Sequence, residues 1–302
     1  SKLDKAMCGI VGLFLKKEEL RPQLGDMLTE MLITMTDRGP DSAGIAIYGD
    51  ETEGVIKITI QSDTPEGAFP GLDGRLSAAV NKPVGIKVIS THAVLTVPAD
   101  TETAAIAFLE ENGLRIMGSG QSMEIYKEVG LPEDVAARFD LRGMGGSHGI
   151  GHTRMATESA VTTMGAHPFS TADDQCLVHN GSLSNHNQMR RTLARKGVFT
   201  RSENDTEVGA AYISSRVAEG ATLGEALEGT LEDLDGFFTF VAGTKDGFGV
   251  VRDPIACKPA VMAETDDYVA FASEYRAFAD LPGIDGARVW EPEPATVYFW
   301  ER

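Results

Sequence analysis

Cys8-Gly9-Ile10-Val11-Gly12-Leu13-Phe14-Leu15 is an apolar run followed directly by Lys16-Lys17-Glu18. A run this short suits a strand buried in the interior. Working outward from it, Leu20, Leu24, Met27, Leu28, Met31, Leu32 and Met35 recur at three- and four-residue spacing. That period predicts an amphipathic helix packed on a core, with the methionine-rich stripe as its buried face. Asp37-Arg38-Gly39-Pro40-Asp41 breaks this helix, and Ala43–Tyr48 is predicted as the next strand.

Residues 62–120 read as a small inserted α+β subdomain. Pro- and Gly-rich punctuation at 65–74 leads into Val84–Val97, which is rich in β-branched residues. Asp100 or Thr101 is placed to cap a helix running through Leu109, with Gly113 ending it and a strand following at Leu114–Met117. Another helix is predicted after Pro132, with Glu133 and Asp134 in its first turn as the helix dipole favours. From residue 148 short strands dominate, at His148–Thr153, Gln175–His179, Phe237–Ala242, Phe248–Arg252, Ala260–Ala263, Tyr268–Ala272 and Val297–Trp300. Two helices interrupt them, Asn185–Lys196 with Gly197 as its stop, and Thr206–Val217. Several of these strands are apolar on both faces, which predicts two stacked antiparallel sheets covered by helices.

The chain has 302 residues, 42% hydrophobic and 24% charged, enough apolar side chains for a sizeable core. No run approaches the ~18 apolar residues of a membrane span. The segment Ser1–Ala6 is polar and lacks the apolar stretch of a secretory signal, so a cytoplasmic location is expected. Cys8, Cys176 and Cys257 are widely spaced and form no CxxC pair, which disfavours a disulfide framework or a structural zinc site. A net charge of −18 with no Lys/Arg run disfavours nucleic acid as a partner.

Four sites carry side chains with chemistry. Cys8 is either a small apolar core residue or a nucleophile. If the chain is cut after Met7, its thiol and a free α-amine belong to one residue. An amine with a pKa of about 7.7–8.0 is a suitable base for a thiol near neutral pH. Arg154, at a predicted strand end in Gly151-His152-Thr153-Arg154-Met155-Ala156-Thr157, suits a bidentate clamp on a carboxylate. Asn180-Gly181 supplies either two oxyanion donors or a hairpin turn, and local sequence favours the turn. Asp205 is either a helix cap or a partner for a substrate ammonium, locally the cap, and the two roles are compatible. His148 and His152 face one side of a predicted strand but lack a third metal ligand.

Taken in order along the chain, these blocks resemble the class II glutamine amidotransferases. The resemblance rests on Cys8-Gly9-Ile10-Val11-Gly12, Arg38-Gly39-Pro40-Asp41-Ser42-Ala43-Gly44, Gly151-His152-Thr153-Arg154 with Ala156-Thr157, Ala166-His167-Pro168, His179-Asn180-Gly181 and Asp205-Thr206-Glu207. Arg252-Asp253-Pro254 and Ser273-Glu274 also match. It spans the chain from Cys8 to near its end, apart from 62–120. It implies an α+β class protein with the N-terminal-nucleophile fold, a four-layer αββα sandwich of two antiparallel sheets. Residues 8–302 are then one amidotransferase domain containing the 62–120 subdomain, and 1–7 is a leader or tag remnant. By resemblance, Cys8 attacks the carboxamide of L-glutamine to give a thioester and ammonia, and water then releases glutamate. Asn180 and the Gly181 amide stabilise the oxyanion. Arg154, assisted by Thr157, holds the substrate carboxylate, and Asp205 holds its ammonium.

The sequence departs from the family pattern in four places. Seven residues precede Cys8, Met155 stands where an aromatic residue is common, and Glu158 stands where one branch has His. Asp37 precedes the Arg-Gly-Pro block where His or Tyr is commoner. The chain ends soon after the glutaminase pattern, and no phosphate-cradling or dinucleotide-binding motif is present, so a separate synthase chain is expected to receive the ammonia. The resemblance is greatest to the amidotransferase subunit of glutamate synthase-like and N-methylglutamate synthase assemblies. That implies no cofactor in this chain, with FMN and iron–sulfur clusters in partner subunits. A catalytically silent subunit of such an assembly is the alternative.

Overall fold

The computed structural model describes residues 8–156 and 160–302; residues 1–7, Thr157, Glu158 and Ser159 lie outside the described residues. The roles expected of Thr157 and Glu158 therefore have no structural account.

The chain opens with strand β1 (Gly9–Leu15), every residue of it buried. Helix α1 (Leu24–Thr34) follows and β2 (Ser42–Tyr48) returns beneath it. The helix expected from Leu20 is divided, because Glu18–Gln23 forms a 3-10 turn containing Pro22 and the α-helix begins only at Leu24. Proline has no N–H to give an α-helical ladder, which accounts for the break.

Next comes a self-contained unit of β3 (Val55–Gln61), α2 (Pro65–Ala68), α3 (Leu72–Val80), β4 (Gly85–Ile89), β5 (His92–Pro98), α4 (Glu102–Glu111) and β6 (Arg115–Gly120). Its four strands form one antiparallel sheet in the order β4-β5-β3-β6. Ile58, Ile60, Leu72, Leu76, Leu95 and Leu109 make a core of its own. The sheet thus starts at Val55, earlier than residue 62. The β-branched stretch Val84–Val97 is a hairpin rather than one strand, turning at Ser90, which takes a φ of 56°. Thr101 bonds the Pro98 carbonyl instead of capping α4.

β7 (Met123–Val129) and α5 (Pro132–Arg138) lead back to the main body, followed by β8 (His148–Arg154), β9 (Phe169–Ala172) and β10 (Gln175–Leu183). Helices α6 (His186–Arg195), α7 (Asp205–Ala218) and α8 (Leu223–Asp233) come next. The last strands are β11 (Gly236–Thr244), β12 (Gly247–Arg252), β13 (Val261–Glu264), β14 (Tyr268–Ala272), β15 (Arg288–Trp290) and β16 (Val297–Glu301). Helix α8 is additional to the two helices expected in this part of the chain; Thr222 accepts from the Glu225 amide and Glu225 from the Thr222 hydroxyl, a capping pair three residues apart.

A seven-stranded sheet in the order β15-β13-β14-β1-β8-β2-β7 faces a five-stranded sheet in the order β16-β12-β11-β10-β9. Ile10, Ile150, Val178, Val241, Phe248 and Phe271 fill the space between them. Leu28, Met31 and Leu32 of α1 cover the outer face of the larger sheet, and Ala210, Ile213, Ala226 and Leu227 of α7 and α8 cover that of the smaller. Burying each such Leu, Ile or Phe contributes about 1.5–3 kcal/mol, which is why strands enclosed on both faces read as continuous apolar runs. The result is the expected αββα sandwich of antiparallel sheets.

The additional sheet meets the main body through Val94 and Met117, which join its apolar clusters, and through polar contacts on β7. Lys57 Nζ pairs with Glu124 Oε2 at 3.0 Å. Glu128 accepts from the Thr91 hydroxyl, the Gln61 amide, the Val129 N–H and the Thr163 hydroxyl. Burial pushes the Glu128 carboxyl up, but these donors outweigh it and hold the group below the usual carboxylate range.

Candidate active site

Cys8 sits at the head of β1, a central strand flanked by β14 and β8. The backbone around it is held from several directions. Gly9 N–H donates to Thr153 Oγ1 at 3.2 Å, and Ile10 N–H donates to Ser273 Oγ at 2.9 Å. The Cys8 carbonyl accepts from Arg38 Nε at 3.3 Å and from Asn180 Nδ2 at 3.1 Å. Arg38 is itself ion-paired to Glu274 at 3.2 Å. The Arg38 block and the Ser273-Glu274 pair, remote in sequence, are therefore the frame that orients Cys8.

Cys8 keeps a partly exposed surface, yet burial of its thiol raises the pKa above the ordinary value. The Met155 main chain, Arg154 and Arg38 oppose that rise without cancelling it. A protonated thiol near neutral pH requires a base.

Asn180 and Gly181 lie inside β10, opposite Thr239 and Phe238 of β11. The hairpin turn favoured by local sequence is thereby corrected, since the strand continues to Leu183. Gly181 has a φ of 135°, and a Cβ there would sit 1.8 Å from the Phe237 carbonyl oxygen. Only glycine fits, because a side chain would be strained by the dihedral and blocked by the neighbouring strand. Asn180 is buried and has two amide hydrogens, of which the Cys8 carbonyl takes one.

Arg154 ends β8 and donates from Nη1 to the Gly165 carbonyl at 3.1 Å. Asp205 is the first residue of α7 rather than its cap. The cap is Asn204, whose side chain accepts from Thr206 N–H at 2.8 Å. Asp205 Oδ2 instead accepts from Leu183 N–H at 3.0 Å, tying the helix start to the end of β10. Arg154 and Asp205 line one open cleft of about 690 Å³ together with Met164, His186 and Asn204. Its size falls in the range of small-molecule sites. The cleft carries a guanidinium and a carboxylate, and the residue after Arg154 bonds the Cys8 thiol. Such a set suits a zwitterionic amino-acid head group beside a sulfur nucleophile. His186, at the start of α6, was not singled out in the sequence, having neither a motif nor a period to mark it.

Other expected blocks serve the scaffold. Asp41 Oδ2 accepts from Ala156 N–H at 2.8 Å, and Asp253, fully buried, accepts from the amides of Phe238 and Ile255. Arg252 donates to the carbonyls of Pro292, Ala256 and Lys258. His148 and His152 do share a face, but each is directed at a carbonyl of the opposite sheet, Thr244 and His179 respectively. Among the described residues, no group of three or more His, Cys, Asp or Glu is placed to hold a metal ion, and no helix is long and apolar enough to cross a membrane. Cys8, Cys176 and Cys257 are free thiols.

Comparisons with known proteins point to one family. A glutamine amidotransferase domain model matches residues 152–280. The chain is 67% identical to a glutamine amidotransferase-like protein GlxB of Rhizobium meliloti (strain 1021), over 98% of each chain. It is 33% identical to a putative glutamine amidotransferase of Methanothermobacter thermautotrophicus (strain ATCC 29096 / DSM 1053 / JCM 10044 / NBRC 100330 / Delta H), over 98% of this chain and all of that one. In fold it resembles a glutamine phosphoribosylpyrophosphate amidotransferase from B. subtilis, with a TM-score of 0.63 at 20% identity. That match covers 97% of this chain and 47% of the other, so the chain spans about half the length of the solved protein. With the two-sheet sandwich and full-length relatives in agreement, the chain belongs to the class II glutamine amidotransferases of the N-terminal-nucleophile fold.

Proposed function

We propose that this chain is a glutaminase subunit that hydrolyses L-glutamine through a Cys8 thioester and passes ammonia to a partner synthase. The observation that carries this reading is the convergence of Cys8 and Asn180 across the two sheets, next to a cleft holding Arg154 and Asp205. Cys8 is the nucleophile. Its own α-amine, freed by removal of residues 1–7, takes the thiol proton. The second N–H of Asn180 and the Gly181 amide meet the oxyanion of the tetrahedral intermediate. Arg154, with Thr157, grips the α-carboxylate, and Asp205 the α-ammonium. The amide nitrogen leaves as ammonia after taking a proton back from the amine, and water then cleaves the thioester to glutamate.

Exposed apolar side chains support a partner close to this site. Phe237 is 46% exposed beside the Asn180–Gly181 strand, Tyr275 is 53% exposed next to Glu274, and Ile255 is 67% exposed after Asp253. The synthase is of the glutamate synthase-like or N-methylglutamate synthase type, bringing the FMN and iron–sulfur clusters that this chain is not expected to hold. The test is intact-mass measurement of the chain isolated from its native host, coupled to a glutamine hydrolysis assay. A mass beginning at Cys8 with glutamate formation is expected. A retained leader with no hydrolysis would replace this reading with a silent structural subunit.

A further inference from the structure

The sandwich has two halves that must be held in register for catalysis. Cys8 heads a strand of the seven-stranded sheet, while Asn180 and Gly181 belong to the five-stranded one. Apolar packing between sheets is non-directional and does not by itself fix their relative position to a fraction of an ångström. Among the described residues, directional contacts that cross the gap include the Asn180 amide on the Cys8 carbonyl at 3.1 Å and Trp300 Nε1 on Glu264 Oε2 at 3.2 Å, and three more involve aromatic or imidazole side chains. At the end remote from Cys8, Tyr48 Oη donates to the Asp174 carbonyl at 2.9 Å and His148 Nε2 meets the Thr244 carbonyl at 2.7 Å. At the Cys8 end, His152 Nε2 lies 3.3 Å from the carbonyl oxygen of His179.

His152 occupies an informative position. On its own sheet it is opposite Ile10 of β1, two residues from Cys8. On the other sheet it reaches the carbonyl of the residue immediately before Asn180. β9 pairs with β10 only as far as Leu177↔Phe169, so the His179 carbonyl lies on a stretch of β10 with no strand beside it on that edge. A carbonyl only accepts, so the imidazole proton is on Nε2, and the buried Nδ1 has no partner. Burial keeps the ring neutral, lowering its pKa to about 3.

Three further contacts close a circuit around this bond. The His167 ring stacks on His152 with centroids 3.9 Å apart, and His167 Nε2 meets Thr206 Oγ1 at 2.7 Å. The same hydroxyl meets His179 Nδ1 at 3.2 Å. Thr206 adjoins Asp205, and Arg154 lies two residues beyond His152. The circuit therefore touches each strand or helix end that presents a residue of the proposed site. We propose that His152 is a positioning residue, whose bond to the His179 carbonyl sets the Asn180–Gly181 donors against Cys8 across the two sheets.

The inference rests on the glutaminase reading above, and its test keeps the two separable. Glutamine hydrolysis and Cys8 alkylation by iodoacetamide, which needs no oxyanion hole, are measured on the mature full chain. The variants are His152→Leu, His152→Gln and His148→Leu. A wrongly placed donor pair costs on the order of 10²-fold in rate. His152→Leu is expected to lower kcat about 10²-fold, with KM within threefold and alkylation unchanged. His152→Gln, whose amide N–H reaches where Nε2 does, restores kcat to within tenfold of wild type. His148→Leu, which removes the strut remote from Cys8, lowers the melting temperature without lowering kcat. An active wild type with an equally active His152→Leu overturns the inference, as does a raised KM at constant kcat, or a loss in His152→Gln matching that in His152→Leu. If His152→Leu does not fold, the comparison passes to Gln against Asn, since Asn reaches only where Nδ1 does; equal activity of those two overturns it. A wild type that forms no glutamate removes the glutaminase reading itself.

Discussion

Asn180 and Cys8 stand 172 residues apart and on different sheets, yet the Asn180 side-chain amide donates to the Cys8 carbonyl at 3.1 Å. The bond places an amide with a spare N–H beside the sulfur-bearing residue. Replacing Asn180 by Ala removes both the tether and the donor. Loss of a single oxyanion donor typically costs 10²–10³-fold in kcat. Asn180→Ala is expected to show that loss with little change in KM, measured as glutamate release under saturating glutamine. An unchanged rate would exclude Asn180 from the oxyanion hole.

The cleft makes a charge-specific prediction. Hydrogen bonds to charged groups contribute about 1.5–3 kcal/mol, or roughly tenfold to a hundredfold in kcat/KM. Arg154→Gln and Asp205→Asn should each lose that much, mainly through KM. Asn at 205 keeps an oxygen for the Leu183 amide, so its melting temperature should stay near wild type. Equal kcat/KM in wild type and both variants would detach these residues from substrate.

Alkylation of Cys8 should depend on pH in a direction fixed by its surroundings. Burial raises the thiol pKa, so the thiolate is scarce at neutral pH and grows as pH rises. The rate with iodoacetamide should increase with a midpoint above that of an exposed cysteine. Arg154→Gln, which deletes a cation that opposes the rise, should move the midpoint higher still. A wild-type midpoint near pH 7 would contradict this account.

Acid should unfold the protein through its buried imidazoles. Burial lowers the pKa of His148 and of His152 to about 3 and that of His167 well below its ordinary value. For a group protonated more readily in the unfolded chain, stability is complete above the unfolded pKa, near 6.5, and falls as pH drops towards the folded one. Each such histidine contributes a slope of about 1.4 kcal/mol per pH unit within that window. Urea melts between pH 6.5 and 4 should therefore show falling stability, with a shallower fall in His148→Asn. A slope indifferent to that substitution would show His148 to be charged or absent from the linkage.

The sequence by itself determined the period of the main elements and the chemical types of the candidate site residues. The unbroken apolar run at β1 and the helical spacing at α1 leave one reading each, because strands enclosed on both faces and one-sided helices impose different periods. Cys8, Arg154, Asn180 and Asp205 were likewise visible as chemical types at strand and helix ends.

Only the tertiary structure decided what those residues touch. Asn180-Gly181 has the local look of a turn, and Phe237 on a distant strand is what dictates its extended geometry. Asp205 looks like a cap until Asn204 is seen in that place, and His148 and His152 look like half a metal site until their carbonyl partners appear. Local sequence encodes period and propensity, whereas the pairing of one sheet with another is a long-range event with no local signature. The site is made at that pairing.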